Sequence, residues 1–187
     1  KFPPMREAPK AGAAGQAEEP TAPPRPLWQI AVQPRFFLSV TAGMVSYGTM
    51  SFLMSASPLA IVACGLPHTE AHWVIFLHVM GMFVPSFFTG NLIQRFGVTN
   101  IMFCGIALLL GGVAAGLNGM SEWNFRIALA VNGVGWNFMY IGASALLTEC
   151  HTPAERAKTQ AANDFMIFAT MAVSSMSSGL LLQKSGW

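Results

Sequence analysis

One ionisable residue, His78, lies in the middle of an apolar stretch of the sequence that runs from Ala71 to Leu92. A charged side chain at the centre of a bilayer costs about 2.5–3.5 kcal/mol on the insertion scale, so an ionisable residue at that depth is a functional candidate. Histidine, with a reference pKa of about 6.5, is suited to relaying protons and to contacting a polar solute. The alternative is a neutral imidazole that hydrogen-bonds to a neighbouring helix, and the sequence leaves both interpretations open.

A second candidate is a polar stripe on a later apolar stretch. At about 100° per residue of helix, its members fall within about 60° of one another. Such a stripe either lines a solute cavity or forms hydrogen bonds between helices. We prefer the cavity, because the stripe continues past the end of the apolar stretch. Its members are Gly133, Asn137, Tyr140, Ser144 and Thr148.

A third candidate is a face of the first apolar stretch that carries an aromatic ring and two methionines. Tyr47, Met50, Ser51 and Met54 share this face at helical spacing. Aromatic and Met side chains can enclose a flat apolar ligand adaptably. Ordinary packing in a helical bundle is the alternative for each methionine.

The elements that must position these residues are five apolar stretches. A helix needs about 20 apolar residues to cross a hydrocarbon core of about 30 Å, and lipid offers no partner for backbone N–H and C=O groups. The sequence therefore predicts an all-α fold, a polytopic transmembrane bundle of five spanning helices. The predicted spans are Phe36 to Cys64, Ala71 to Leu92, Val98 to Leu117, Phe125 to Leu147 and Ala161 to Leu182.

The composition agrees with a membrane protein and disfavours several other classes. It is 53% hydrophobic and only 10% charged, and the net charge of +2 is too small to predict a nucleic-acid partner. The three cysteines are scattered, which predicts neither a disulfide framework nor a metal site. An enzyme is not predicted, because the spans carry no pair of acids, no metal-spaced histidines and no Ser/His or Ser/Lys pair at one depth. No cofactor is predicted.

The segment before the spans divides into two parts. Residues 1–26 are rich in Pro and Ala and predict a disordered linker, whereas residues 27–35 predict a short interfacial helix ahead of the bundle of residues 36–187. Eight of the ten Lys and Arg residues fall on the side of this linker, Arg126 and Lys184 being the exceptions. The linker is therefore expected to be cytoplasmic. An odd number of spans and abrupt ends predict a fragment of a longer protein.

Two prolines, which break or bend helices, lie within the predicted spans. Pro58 lies late in the first span and Pro85 inside the second. Proline removes one backbone hydrogen bond and bends a helix, and in lipid such a break survives where neighbouring helices satisfy the freed carbonyls.

The loop after the second span reads Gly90-Asn91-Leu92-Ile93-Gln94-Arg95-Phe96-Gly97. It resembles the G-x-L-x-D-R-x-G-R-K loop of major facilitator superfamily transporters, which follows their second helix and recurs after the eighth. Gly90, Leu92, Arg95 and Gly97 match, and Gln94 stands in place of the acid. The match implies a tight helix crossing at Gly90, a sharp turn at Gly97, and an Arg95 that caps helix carbonyls or reaches a carboxylate.

The loop after the fourth span, from Glu149 to Lys158, resembles a second cytoplasmic loop of that family. Thr152 before Pro153, with Glu155 three residues on, predicts a capping box. Together with Arg95, the charged residues Glu149, Arg156 and Asp164 are expected near one membrane face. A charge network there would lock one conformation of a rocking transporter.

Two further segments, Pro85 to Gly90 and Gly135 to Phe138, resemble a proteobacterial branch of the superfamily that includes drug exporters and carriers of vitamins such as riboflavin. The resemblance implies helices seven to eleven of the C-terminal half of a secondary active transporter, in the bacterial inner membrane. Its partners would be lipid, a small organic solute, and the missing N-terminal half and last helix. Alternating access follows from the resemblance, and proton coupling is an open possibility. The competing class is a non-transporting membrane scaffold or receptor subunit.

Overall fold

A computed structural model describes residues 23–185 of the chain. All regular structure in this range is helical, which confirms the predicted all-α class. A single 3-10 turn, Pro153–Glu155, precedes the last helix. The helices are α1 (Leu27–Ala31), α2 (Pro34–Ala63), α3 (His68–Phe83), α4 (Ser86–Phe96), α5 (Val98–Leu117), α6 (Glu122–Thr148) and α7 (Arg156–Ser185).

The helix before the first span is shorter than the sequence predicts. It ends at Ala31, and Pro34 and Arg35 already belong to α2. Gln33 has an extended backbone, and Pro34 takes the first helical position, where its missing N–H is not needed. Most of the predicted linker, residues 1–22, lies outside the described residues.

The second predicted span is two helices. The axes of α3 and α4 are bent by 43° at Val84 and Pro85. Pro85 has no N–H to continue the helical ladder, and its ring crowds the preceding turn. Pro58, by contrast, lies within α2, which runs unbroken from Pro34 to Ala63.

Helix α6 lies at the centre of the bundle. It packs against α2, α3 and α5, while α7 packs mainly against α2. Phe125 and Leu129 of α6 are buried in a core with Leu53 and Ile61 of α2 and Val74 of α3. The candidate residues on α6 are therefore held by contacts with three other helices.

Length and composition fit passage through a membrane for most of the long helices. Within residues 23–185, α2, α5 and the segment Pro153–Leu181 qualify singly, and the bent pair α3–α4 qualifies as one further span. Helix α6 does not meet the same criterion, and it carries Asn132 and Asn137 in its middle. Large apolar side chains cover the outside of the bundle, as a lipid-facing surface requires. Examples are Phe37, Phe87, Leu110, Leu117 and Phe165.

Candidate functional site

The structure places His78 at the crossing of α3 and α6. Its side chain is buried, and Nδ1 lies 2.9 Å from the Leu129 carbonyl oxygen. Nε2 has no hydrogen-bond partner among the described residues. The geometry is that of an imidazole shared between two helices, one of the two interpretations that the sequence left open. Its role in proton coupling stays a prediction.

Close contact between backbones fixes this crossing. A Cβ atom at Gly81 would lie 2.5 Å from the Ala130 carbonyl oxygen, and one at Gly133 would overlap the carbonyl oxygen of His78. Glycine at both positions lets α3 and α6 approach until their main chains touch. The position of His78 relative to α6 is therefore tightly determined.

Asn137 is also committed to contacts between helices. Its Nδ2 donates to the Met82 carbonyl oxygen and to the Ser86 hydroxyl, both at 2.6 Å. Its Oδ1 lies 2.6 Å from the hydroxyl of Thr89. Because Met82 precedes the break between α3 and α4 while Ser86 and Thr89 follow it, one amide holds both parts of the bent span. Asn137 thus has the interhelical bonding that the sequence gave as the alternative to cavity lining.

The candidates Tyr47 and Tyr140 meet Trp136 in a group of three rings, which we call the aromatic cluster. Trp136 and Tyr140 stack with ring centroids 4.9 Å apart. Tyr47 meets both edge-on, with centroids at 5.2 Å from Trp136 and 5.1 Å from Tyr140. Tyr47 and Tyr140 are half-buried, whereas Trp136 is buried and its indole N–H has no partner among the described residues.

The remaining candidates lie near this cluster along their helices. Met50 is half-buried one turn after Tyr47, and Ser144 is half-buried one turn after Tyr140. The sequence missed Trp136 as a site residue, although its spacing of four from Tyr140 on a helix was a usable signal.

The predicted charge network is not present in the described part of the chain. No ion pair there joins Arg95 or Arg156 to Glu149 or Asp164. The Arg95 guanidinium lies 5.3 Å from the centroid of the Phe96 ring, and Asp164 accepts a hydrogen bond from Gln160.

The acids of the loop after α6 take their partners from the chain before α2. Glu149 pairs with Arg35 at 2.8 Å on the surface, and Glu155 pairs with Arg25 at 2.8 Å with its carboxylate buried. The sequence singled out neither arginine as a partner, because more than 100 residues separate each pair.

Gly90 and Gly97 of the motif after the second predicted span differ in whether the structure has the geometry predicted for them. Gly97 has a φ of +84°, so the sharp turn predicted there is confirmed. A Cβ atom at Gly90 would meet no atom within 4 Å, and the tight crossing predicted at that residue is not formed among the described residues.

Comparison with known proteins identifies the family. The family model described as Major Facilitator Superfamily matches residues 39–187. The chain belongs to this superfamily.

Its curated relatives in the superfamily are bacterial. It is 47% identical to the riboflavin transporter RfnT of Brucella anthropi over 183 residues, which are 98% of this chain and 46% of that protein. It is 32% identical to the uncharacterised transporter YddS of Bacillus subtilis over 140 residues, 74% of this chain and 32% of that protein. The chain spans less than half the length of these relatives. No solved structure gives a significant match.

The superfamily bundle leaves one large apolar groove along α2. The groove has a volume of about 1000 Å³ and runs between α2, α5 and α7. Val45 and Phe52 of α2, Val113 of α5 and Met166 of α7 line it. Helix α2 packs against α6 and α7, and the groove lies on its remaining open side.

A buried ion pair lies at the opposite end of the bundle from α1. Arg126 of α6 donates through Nε and Nη2 to both carboxylate oxygens of Glu70 in α3, at 2.6–2.9 Å. Its guanidinium also lies 5.0 Å from the centroid of the Trp123 ring. The bidentate geometry ties the starts of α3 and α6 together.

Proposed function

We propose that the protein containing this chain is a secondary active transporter that moves a small organic solute across the bacterial inner membrane by alternating access. Membership of the superfamily and 47% identity to a transporter support this assignment. The bias of Lys and Arg toward the side of the N-terminal linker supports a cytoplasmic location for that linker.

The solute that the site fits best is a flat heteroaromatic compound, with riboflavin as the first candidate. The observation that carries this proposal is the aromatic cluster, which offers two half-buried rings beside a buried indole. Flat rings stack on such side chains, and the tyrosine hydroxyls supply polar contacts at the ring edge. The name of the Brucella relative agrees with this chemistry. Met50 and Ser144 would extend the same binding surface.

The rest of the protein supplies a further helix and a second bundle. We assign the apolar groove along α2 to a sixth membrane helix, because an apolar surface of this size needs lipid or a helix to cover it. The matched relatives are more than twice as long as this chain, which leaves room for that helix and for an N-terminal half.

Two finer roles belong to the same proposal. His78 would couple proton movement to transport through its unpartnered Nε2. Gly90, Arg95 and Gly97, with Glu149, Arg156 and Asp164, would form the cytoplasmic surface that opens and closes during the cycle. The two bundles would rock about the aromatic cluster.

The test is riboflavin binding and flux with the purified full-length protein in proteoliposomes. Flavin fluorescence reports binding, and radiolabelled riboflavin reports flux. Trp136→Ala and Tyr140→Ala are expected to weaken binding about tenfold, which corresponds to the loss of about 1.4 kcal/mol of stacking. Trp123→Ala, which removes an exposed indole at the start of the same helix, is the control and should bind as the unaltered protein does.

Each other outcome has a definite meaning. Absence of riboflavin binding by the unaltered protein rejects riboflavin as the solute. Binding without flux, in the presence or absence of a proton gradient, rejects the transporter and favours a receptor subunit. Equal binding by the Trp136 and Trp123 variants moves the site away from the aromatic cluster.

A further inference from the structure

The chain before α1 is attached to the connection between α6 and α7 through Arg25. The backbone N–H and Nε of Arg25 donate to Oε1 of Glu155 at 2.7 and 2.9 Å, and Nη2 donates to Oε2 at 2.8 Å. Nη2 also lies 3.2 Å from the carbonyl oxygen of Cys150. The Glu155 side chain is only 1% exposed. A carboxylate this buried, with three donors from one residue, forms a strong and specific contact.

Glu155 is held ready for this contact by its own loop. Thr152 and Glu155 form the capping box predicted from the sequence, and the Thr152 N–H donates to Oε2 of Glu155 at 2.9 Å. The hydrogen bond to Glu155 raises the pKa of Arg25 above its ordinary value. The Lys158 ammonium donates to the backbone carbonyl of Arg25, which fixes the main chain as well as the side chain.

The same contact covers a small buried core beneath α1. Ile30 of α1 packs with Phe36, Leu147 and Cys150, and both Ile30 and Cys150 are buried. Gln33 donates to the Cys150 carbonyl oxygen at 3.3 Å. With α1 in place, solvent has no access to the thiol of Cys150.

From these contacts we propose that Arg25, Glu155 and Lys158 form a clasp that holds α1 on the bundle, so that the preceding chain is tethered to the α6–α7 connection and not to the start of α2. We call this group the Arg25 clasp. Opening it would leave a buried carboxylate without a cation, which is strongly unfavourable. This role is separate from solute binding and does not depend on the proposed function.

Cys150 reports whether the clasp is closed. The experiment uses the purified full-length protein in detergent with every cysteine except Cys150 replaced by Ala, Cys64 and Cys104 among them, and it measures alkylation of Cys150 by a polar maleimide. Burial, followed by the charge of Glu149, raises the pKa of the Cys150 thiol. Alkylation of the folded protein should therefore be slower at pH 8 than alkylation of the same protein in SDS, and its rate should rise with pH.

Arg25→Ala and Glu155→Gln should each accelerate alkylation about tenfold or more, because α1 then opens locally. Arg35→Ala is the matched control. Both Arg25 and Arg35 lower the pKa of the thiol by their charge, so either loss would slow the reaction if access were unchanged. Acceleration in the Arg25 variant alone therefore measures access.

Equal rates for the Arg25 and Arg35 variants would overturn the proposal. Should Arg25→Ala fail to fold, Arg25→Lys, which keeps the cation and the backbone N–H, provides a second test. Alkylation of Arg25→Lys that is slower than that of Glu155→Gln supports the clasp, and equal rates for these two variants contradict it.

Discussion

The side-chain amide of Asn137 donates to the carbonyl oxygen of Met82 at 2.6 Å, immediately before the point where proline breaks the second span. In an unbroken helix, that carbonyl would accept from the backbone N–H four residues later. An amide from the middle of the neighbouring helix therefore stabilises a bend that lipid alone would not tolerate.

Replacing Asn137 with Ala should destabilise the protein by about 1–3 kcal/mol, because the Met82 carbonyl and the Thr89 hydroxyl lose a buried partner. The change is measured as the free energy of unfolding in an SDS titration of the full-length protein. Asn100→Ala removes an exposed amide that donates to the Phe96 carbonyl oxygen at the end of α4, four residues earlier, and it should change stability by less than about 0.5 kcal/mol. Equal effects of the two substitutions would show that Asn137 does not support the bend.

Substitution of Gly133 by Ala should be poorly tolerated. Its Cβ would overlap the His78 carbonyl oxygen, and forcing the two backbones apart should cost about 1–3 kcal/mol or more. The matched control is Gly111→Ala, where a Cβ meets no atom within 4 Å. We expect that variant to be neutral or more stable by up to about 1 kcal/mol, from helix propensity. Thermal melting, monitored by fluorescence-detected size-exclusion chromatography, compares the stability of the two variants. A Gly133 variant as stable as the unaltered protein would contradict the close crossing.

Loss of Arg126 should be far more damaging than loss of Arg35. The side chains of the Arg126–Glu70 pair are 22% and 10% exposed, and removing one partner leaves the other as an unpaired, largely buried charge. We expect about 2–4 kcal/mol of destabilisation for Arg126→Ala. The side chains of the Arg35–Glu149 pair are 68% and 50% exposed, and Arg35→Ala should cost less than about 1 kcal/mol. SDS titration measures the free energy of unfolding of both variants. Similar values would show that the Arg126–Glu70 pair contributes no more to stability than the Arg35–Glu149 pair.

His78→Ala should abolish transport driven by a pH gradient while leaving solute exchange at equal pH in place. His72→Ala is the control, because that histidine is exposed on the same helix. Flux measured in proteoliposomes with and without a pH gradient gives the result. Unchanged coupling in the His78 variant would restrict that residue to its hydrogen bond with Leu129.

Local sequence features predicted the local structure well. Pro85 indicated the break in the second span, Gly97 the sharp turn and Thr152 the capping box, because each depends on residues within one or two turns. The apolar periodicity was sufficient for the helical class, although it gave one helix where Pro85 separates two.

Pairings between distant residues were not predictable in the same way. Helical periodicity placed Asn137 on a face with Tyr140, but it did not specify that α3 would cover the first and α2 the second. Arg25 lies in a proline-rich segment without periodicity, and its partner is 130 residues away. Such contacts depend on how the helices pack, which a single sequence constrains only weakly.

The bend at Pro85 places the far end of the second span away from the axis of α3. Helix α4 has 11 residues and is inclined by 43°, so at about 1.5 Å per residue its far end lies about 11 Å to the side of the α3 axis. A small rotation of α3 about its own axis would therefore move Arg95 sideways along the membrane surface. The same rotation of a straight span would leave Arg95 close to that axis.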